Sequence, residues 1–139
     1  MTPVESLATD PGPLVGLWRL DRRLIDRRRG AHGCFHGQLS ITGVDGAFDW
    51  YESGELHWGG RVTPASRRLI LRTGQDGWEM TFSDGRLFHP WLLDHDLTHP
   101  CGADLYVGRI VAAHDRMRFT WRVTGPAKDQ EIHTRLRRT

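Results

Sequence analysis

Short runs in which apolar and polar residues alternate recur throughout this sequence, separated by turn dipeptides. The first run covers residues 17–26, where Trp18, Leu20 and Leu24 alternate with charged side chains. Such alternation is typical of strands that bury one face. No segment after residue 10 has the periodicity of a long helix, so the crossover helices that a parallel sheet requires are excluded.

The runs predict about ten short antiparallel strands in a single domain, residues 1–139. The further predicted strands are residues 32–41, 47–56, 67–73, 78–83, 86–89, 105–113, 116–124 and 130–137. Hairpin turns are predicted at Asp45-Gly46, Asp76-Gly77 and Asp84-Gly85. Gly59-Gly60 interrupts a weaker run at residues 57–63, which suggests a bulge or strong bend. A short turn of helix is predicted at residues 3–9.

The inferred inner faces of these strands carry ionisable side chains among aromatic ones. Glu52, Arg67, Asp104 and Tyr106 all share the parity of buried apolar neighbours. The solid core of a β-sandwich does not tolerate this many ionisable groups unless they are paired. A small barrel can hold them, because its interior accommodates one small ligand. The pattern therefore favours an all-β fold, an antiparallel up-and-down barrel, over a sandwich.

Charge and composition exclude several classes of protein. The net charge is +2, and the 18 arginines mostly alternate with apolar residues or lie beside carboxylates. No basic face is evident, so we expect no nucleic acid as the main partner. No apolar run is long enough to span a membrane, and the start has no secretory signal. Two cysteines make no disulfide framework, which favours the cytoplasm.

The first strand opens with Gly16-Leu17-Trp18, and arginines lie late in the last predicted strand. This arrangement resembles the closure of lipocalin and fatty-acid-binding-type barrels, in which an arginine of the final strand stacks across the tryptophan. Arg138 shares the parity of the inward residues of that strand and is the expected partner of Trp18. Arg135 and Arg137 are the alternatives.

Scattered pieces along nearly the whole chain carry a second resemblance. They are Gly16-x-Trp18-Arg19, Glu52-x-Gly54, Phe82-x-Asp84-Gly85-Arg86-x-Phe88-His89, His99-x-Cys101-x-x-Asp104-x-Tyr106 and Trp121-x-Val123-x-Gly125-Pro126-x-Lys128-Asp129. In this combination the chain is similar to a small uncharacterised bacterial family, a domain of unknown function. The resemblance implies a lipocalin-like (calycin) β-barrel, here of about ten strands with a short N-terminal helix. It implies no particular activity, since fold does not carry function.

Residues 88–106 contain the densest group of chemically active side chains. His89, His99, Asp104 and Tyr106 are the candidate catalytic residues, because an imidazole oriented by a carboxylate can act as a general base. A tyrosine hydroxyl can stabilise developing negative charge. The alternative is a turn-rich loop whose histidines bind the backbone, and this interpretation is preferred for His95.

Two histidine and cysteine spacings offer ligand types that zinc accepts. They are His95-x-x-x-His99-x-Cys101 and His32-x-Cys34-x-His36. Pro100 disfavours the helix that the first spacing needs, and same-face neighbours on a strand lie ~7 Å apart. We therefore predict no metal and no cofactor. Cys34 and Cys101 are more typical of small buried side chains than of nucleophiles. The turn before the last strand is expected to be a hairpin pinned by a Lys128–Asp129 ion pair.

The leading prediction is a barrel whose cavity binds a small hydrophobic molecule, either aromatic or amphipathic. The candidate ligand-binding residues are Arg22, Trp50, Glu52, Arg67, Phe82, Phe119 and Trp121. An inward arginine beside a carboxylate is either a structural ion pair or a clamp for a ligand carboxylate. The alternative function is a cofactor-free cyclase, isomerase or hydrolase that uses the candidate catalytic residues in the same cavity. An enzyme requires histidine and carboxylate within hydrogen-bond reach of each other.

Overall fold

The structure, a computed structural model, describes residues 10–139 and contains one antiparallel sheet of ten strands. The strands are β1 (Gly16–Asp26), β2 (Ala31–Val44), β3 (Ala47–Trp58), β4 (Arg61–Gly74), β5 (Gly77–Phe82), β6 (Leu87–Pro90), β7 (Asp96–Cys101), β8 (Asp104–Ala112), β9 (Arg116–Thr124) and β10 (Asp129–Arg138). A single 3₁₀ turn, Gly12–Leu14, is the only helix in the described part of the chain. The helical turn predicted at residues 3–9 lies outside the described residues.

Each strand pairs with its neighbours in sequence, except that β6 and β7 do not pair with each other, and β1 also pairs with β10. The sheet order is therefore β6-β5-β4-β3-β2-β1-β10-β9-β8-β7. Contacts between the end strands β6 and β7 bring the two edges together and nearly close the sheet. The prediction of an all-β, up-and-down antiparallel barrel is confirmed. No helix of the described residues is long and apolar enough to cross a membrane.

The structure differs from the sequence prediction at two local features. Gly59-Gly60 is the two-residue turn between β3 and β4, where φ values of 60° and 77° require left-handed backbone. It is therefore a hairpin turn and not a bulge within a strand, and β4 begins at Arg61. Strand β7 was not predicted, because Pro100 and the polar residues around it resemble a loop. Proline is tolerated there because β7 lies at an edge of the sheet.

One end of the barrel is closed by Trp18, which is fully buried. The guanidinium carbon of Arg138 lies 4.4 Å from the centre of the Trp18 ring. The same guanidinium donates hydrogen bonds to the carbonyl oxygens of Pro13, Val15 and His114 at 2.7–2.8 Å. The predicted stacking of Arg138 on Trp18 is confirmed, and the hydrogen bonds fix the arginine where it covers the ring.

The opposite end of the barrel carries the turns that follow β1, β3, β5, β7 and β9. Near this end β4 pairs with β5 only from Leu69 onward, so residues 61–68 have β3 on one side and no strand on the other. These residues are exposed. The sheet therefore opens sideways here. We call this end of the barrel the open end, and the half of the barrel next to it, into which the opening leads, the upper half.

Strand β8 presents apolar side chains on both of its faces. Tyr106 and Ile110 face the interior, and Ile110 is fully buried. Leu105, Val107 and Val111 consequently lie on the outer face, where each is about two fifths exposed. The apolar side chains on the outer face of β8 are therefore exposed on the surface of the described structure.

Candidate functional site

A cavity of about 230 Å³ lies in the upper half of the barrel. Its walls combine aromatic and aliphatic side chains with a cluster of three charged side chains, which we call the charged group. The aromatic part consists of Phe35, Trp50, Phe88, His89, Phe119 and Trp121, and the charged part of Arg22, Glu52 and Arg67. Such a mixture of apolar wall and few polar groups is typical of small-molecule sites.

Glu52 lies at the centre of the charged group and is 2% exposed. The two terminal nitrogens of Arg22 donate to its two carboxylate oxygens at 3.0 and 3.1 Å. Arg67, directly opposite Glu52 in the β3–β4 register, donates from Nε and Nη2 at 3.2 Å. Trp50 Nε1 adds a hydrogen bond of 2.9 Å, and Arg22 Nε donates to Thr134 Oγ1 at 2.8 Å. The carboxylate is therefore fully satisfied.

The charges around Glu52 determine its protonation. Burial alone raises the pKa of this carboxyl, but the charges of Arg67 and Arg22 and the hydrogen bonds from Arg22 and Trp50 outweigh burial. The pKa of Glu52 is lowered from 4.5 to about 2. Glu52 is thus ionised at neutral pH and neutralises one of its two arginines. One positive charge remains in the cavity, and Arg67 is the more accessible of the two, with 42% of its side chain exposed.

His89 adds a polar atom to the aromatic part of the wall. Its Nδ1 lies 2.8 Å from the carbonyl oxygen of Pro90. A carbonyl only accepts, so Nδ1 carries the proton and Nε2 keeps its lone pair. The ring packs between Phe88 and Trp121, with centroids 4.8 and 5.1 Å away. Burial, with a smaller contribution from the charge of Arg67, lowers the pKa of His89 to about 4, and the imidazole is neutral at pH 7.

A register shift brings both Phe88 and His89 into the interior. Met80 pairs with His89, but the next residue of β5 pairs with Leu87, so Phe88 is an extra residue in β6. Both side chains are buried, at 6% and 1% exposure. In a regular strand two consecutive residues point to opposite faces. The bulge explains why alternation from the sequence did not place Phe88 in the cavity wall.

The structure does not bring the candidate catalytic residues together around the cavity. Asp104 lies at the mouth and forms an ion pair with Lys128, Oδ2 to Nζ 3.0 Å. Tyr106 packs behind the wall against Phe88 and Trp121, and only His89 lines the cavity.

His99 is opposite Tyr106 in the β7–β8 register and is half-buried outside the cavity. The expected pairing of Lys128 with Asp129 is wrong as well. Asp129 instead accepts a hydrogen bond of 2.7 Å from Arg122 across the hairpin, while Lys128 reaches across to strand β8.

Most candidate ligand-binding residues do line the cavity. They are Arg22, Trp50, Glu52, Arg67, Phe119 and Trp121. Phe82 does not, because its ring stacks on the far side of Phe88 with centroids 4.9 Å apart. Their roles in binding stay predictions.

Neither cysteine has a disulfide partner within the described residues. The described part of the chain also holds no cluster of three His, Cys, Asp or Glu side chains that could hold a metal ion. The histidines and the cysteine of residues 32–36 point outward from β2, where Asp21 and the His57 ring are the neighbours of His36. The predicted absence of a bound metal stays a prediction.

Comparison with known proteins places the barrel in context. A solved structure, the S-type phycobiliprotein lyase CPES from Guillardia theta, matches with a TM-score of 0.66 and 15% sequence identity. The match covers 98% of this chain and 92% of that chain. At this identity the likeness shows the fold, a lipocalin-like barrel. A search of curated proteins finds no match. A model of a family of unknown function, DUF6314, matches residues 14–138, and the chain therefore belongs to that family.

Proposed function

We propose that this barrel binds a small amphipathic molecule that has an aromatic or otherwise apolar body and one anionic group. The observation that supports this most directly is the charge of the cavity. Arg22 and Arg67 share the single carboxylate of Glu52, so an aromatic-lined space retains one positive charge. The guanidinium of Arg67 donates to Glu52 through Nε and Nη2, so a ligand carboxylate would be held by the charge of Arg67 and by its remaining donors, chiefly those of Nη1.

The size of the cavity limits what can enter it. An engineered apolar cavity of about 150 Å³ in another protein holds benzene. By that measure about 230 Å³ accommodates a body on the order of ten non-hydrogen atoms. A longer ligand would have to extend through the side opening beside residues 61–68. Arg67 lies at this opening, so an anionic group there would sit between the cavity and solvent.

His89 adds a second requirement to the ligand. Its Nε2 has no hydrogen-bond partner among the described residues and lies in an aromatic surrounding. A neutral imidazole nitrogen of this kind accepts a hydrogen bond and cannot supply a positive charge. We therefore expect ligands with a hydroxyl or N–H group on the apolar body to bind more tightly than ligands without one.

The protonation states and the hydrogen-bond partners of the polar side chains favour a binding protein over a cofactor-free enzyme. A general base needs a pKa near the working pH and usually a carboxylate that orients it. His89 has a depressed pKa and donates to a backbone carbonyl, and the carboxylate of Asp104 is occupied by Lys128. Glu52 is too strong an acid to accept a proton at neutral pH.

Isothermal titration with three matched probes tests the proposal. Phenylpropionate carries the aromatic body and the anion, hydroxyphenylpropionate adds a donor, and phenylpropanol lacks the charge. We expect hydroxyphenylpropionate to bind most tightly and phenylpropanol most weakly. Native mass spectrometry of the purified protein shows in parallel whether a small acid accompanies it.

Neighbouring arginines provide a matched control. Arg67→Gln removes the free positive charge and should weaken the two acids but not phenylpropanol. Arg68→Gln changes the next residue, whose side chain points outward to Asp49 and Tyr51, and should leave all three unchanged. If no probe binds, or if the two substitutions have equal effects, the proposed site is wrong.

A further inference from the structure

Five arginines form a patch on the outer face of strands β9, β10 and β1, near the closed end of the barrel. All are exposed, and we call them the arginine patch: Arg19, Arg116, Arg118, Arg135 and Arg137. The patch lies outside the barrel, on the opposite surface of the sheet from the cavity. No part of the proposed function uses it.

The strand register places these like charges directly opposite one another. Arg118 faces Arg135, Arg116 faces Arg137, and Arg137 in turn faces Arg19 on β1. Cross-strand neighbours on one face lie ~5 Å apart, and like charges in such pairs destabilise a sheet. A surface required only for solubility would alternate the signs of its charges, as the upper half of the same face does.

Few carboxylates offset the patch. Asp21 lies 3.7 Å from Arg19 and directly opposite Arg135 in the β1–β10 register, but it also binds His36, and Asp115 lies 3.7 Å from Arg116. Within residues 10–139, Arg118, Arg135 and Arg137 have no carboxylate at salt-bridge distance. The patch therefore has more net positive charge than the chain as a whole, whose net charge is +2.

Aliphatic side chains border the patch. Val111 is directly opposite Arg118 in the β8–β9 register and is 42% exposed, and Leu17, two residues before Arg19, is 53% exposed. A shallow groove of about 340 Å³ runs between Val111 and the arginines of β9 and β10. Arginine beside exposed aliphatic surface is typical of protein interfaces, in which arginine is enriched and lysine depleted.

Toward the open end, the same face carries negative charge. Asp129 and Glu131 lie there, paired with Arg122 and Arg27. They limit the positive area to two side-chain positions on each of β9 and β10 and one position on β1, about 10 Å by 7 Å. A nucleic-acid backbone, with its regular phosphates, needs a longer basic track and would meet these carboxylates. Within the described residues the arginine patch itself contains no aromatic side chain for a base to stack on, and the ring of His133, on the same face of β10, lies 3.2 Å from the carboxylate of Glu131.

We infer that the arginine patch is a docking surface for a short acidic segment of a partner protein, in which Asp or Glu residues alternate with aliphatic ones. Carboxylates of an extended segment that point to one side are spaced ~7 Å apart, which matches successive arginines along β9 or β10. The aliphatic residues between them would contact Val111 and the rim of the groove. The segment thus supplies opposite charges to the Arg118–Arg135 and Arg116–Arg137 pairs, which have none between β9 and β10.

Fluorescence anisotropy with a labelled peptide of alternating Glu and Val tests the inference, with a Gln–Val peptide as the uncharged control. We expect the Glu peptide alone to bind and to weaken with salt. Arg118→Gln/Arg135→Gln should weaken it about tenfold, as the loss of two surface ion pairs allows. Arg61→Gln/Arg86→Gln removes the same charge at the open end and should have no effect.

The stability of a second variant separates docking from a structural role. Arg118→Glu places a carboxylate opposite Arg135, so it should raise the Tm while it abolishes binding of the Glu peptide. A lower Tm would mean that the arginines support the fold, and the inference would be wrong. Equal binding of both peptides would overturn it. A thymidine oligonucleotide or phosphatidylserine vesicles that bind more tightly than the Glu peptide, and that lose this binding in Arg118→Gln/Arg135→Gln, would overturn it as well.

Discussion

Replacing Glu52 by Gln is the sharpest single perturbation of this barrel. The substitution keeps the shape of the side chain but removes the charge that holds Arg22 and Arg67 together. It also turns an amide donor toward guanidinium groups that only donate, so at least one arginine loses its hydrogen bonds. Both arginines then repel each other without a carboxylate between them.

Two independent estimates give the size of the effect. A pKa lowered from 4.5 to about 2 corresponds to about 3 kcal/mol of stability at neutral pH. Removing one partner of a buried ion pair typically costs about 3–5 kcal/mol. We therefore expect Glu52→Gln to lower the free energy of unfolding by about 3 kcal/mol, measured by urea denaturation at pH 7.

The pH dependence tests the same reasoning in a second way. Because the pKa of Glu52 is depressed, its contribution is fully present above pH 4.5 and is lost as the pH falls toward 2. The difference between wild type and Glu52→Gln should therefore shrink over that interval. A difference below about 1 kcal/mol at pH 7 would show that water screens the site and would refute the account.

A triple substitution separates stability from binding. Arg22→Met/Glu52→Gln/Arg67→Met removes all three charges, and the glutamine oxygen still accepts the hydrogen bond of Trp50 Nε1. Replacing a buried ion pair by uncharged side chains of similar volume is often neutral or stabilising. We expect this variant to unfold within about 1 kcal/mol of wild type and to lose its preference for phenylpropionate over phenylpropanol. If the variant keeps that preference, the anion does not bind at the arginines.

Three further changes are expected to have measurable results. Trp18→Ala empties the closed end and should cost about 3–5 kcal/mol in urea denaturation, whereas a loss near zero would place this tryptophan outside the core. Wild type should lose stability as the pH falls from 6.5 toward 4, because the depressed pKa of His89 favours the neutral ring in the folded state. His89→Phe should not show this loss, and identical pH profiles of the two proteins would contradict the prediction. Gly37→Ala puts a Cβ atom 2.0 Å from the Ser53 carbonyl oxygen of β3, so it should destabilise by about 1–3 kcal/mol or more, and an unchanged Tm would show that the two strands can separate.

Much of the charged group could be predicted from the sequence. Glu52 and Arg67 share the parity of Trp50 and Leu69, so alternation along each strand places both side chains inward. That they face each other depends on the Gly59-Gly60 turn, which resembles a bulge in the sequence. Arg22 follows from the same alternation along β1. These residues lie in regular strands joined by tight turns, where a period of two residues is reliable.

The other half of the site could not be predicted by counting residues. The bulge in β6 shifts the parity at Phe88, so the position of His89 depends on an irregularity that leaves no clear sequence signal. Asp104 faces inward as expected, but Lys128 reaches it from the distant β9–β10 turn. Such a contact depends on how two hairpins lie against each other at the mouth, which neither alternation nor turn type specifies.

The pairing of β1 with β10 has a consequence for the growing chain during synthesis. Arg22 and Thr134 share a hydrogen bond although they are 112 residues apart in the sequence. Strand β1 therefore leaves the ribosome long before its second partner, while β2 already covers its other edge. Until β10 arrives, the free edge of β1 and the apolar face of Trp18 and Leu20 are open to other chains, and long-range pairing of this kind is slow. A ribosome that stalls before β10 would release a chain whose exposed edge invites pairing with a second unfinished copy.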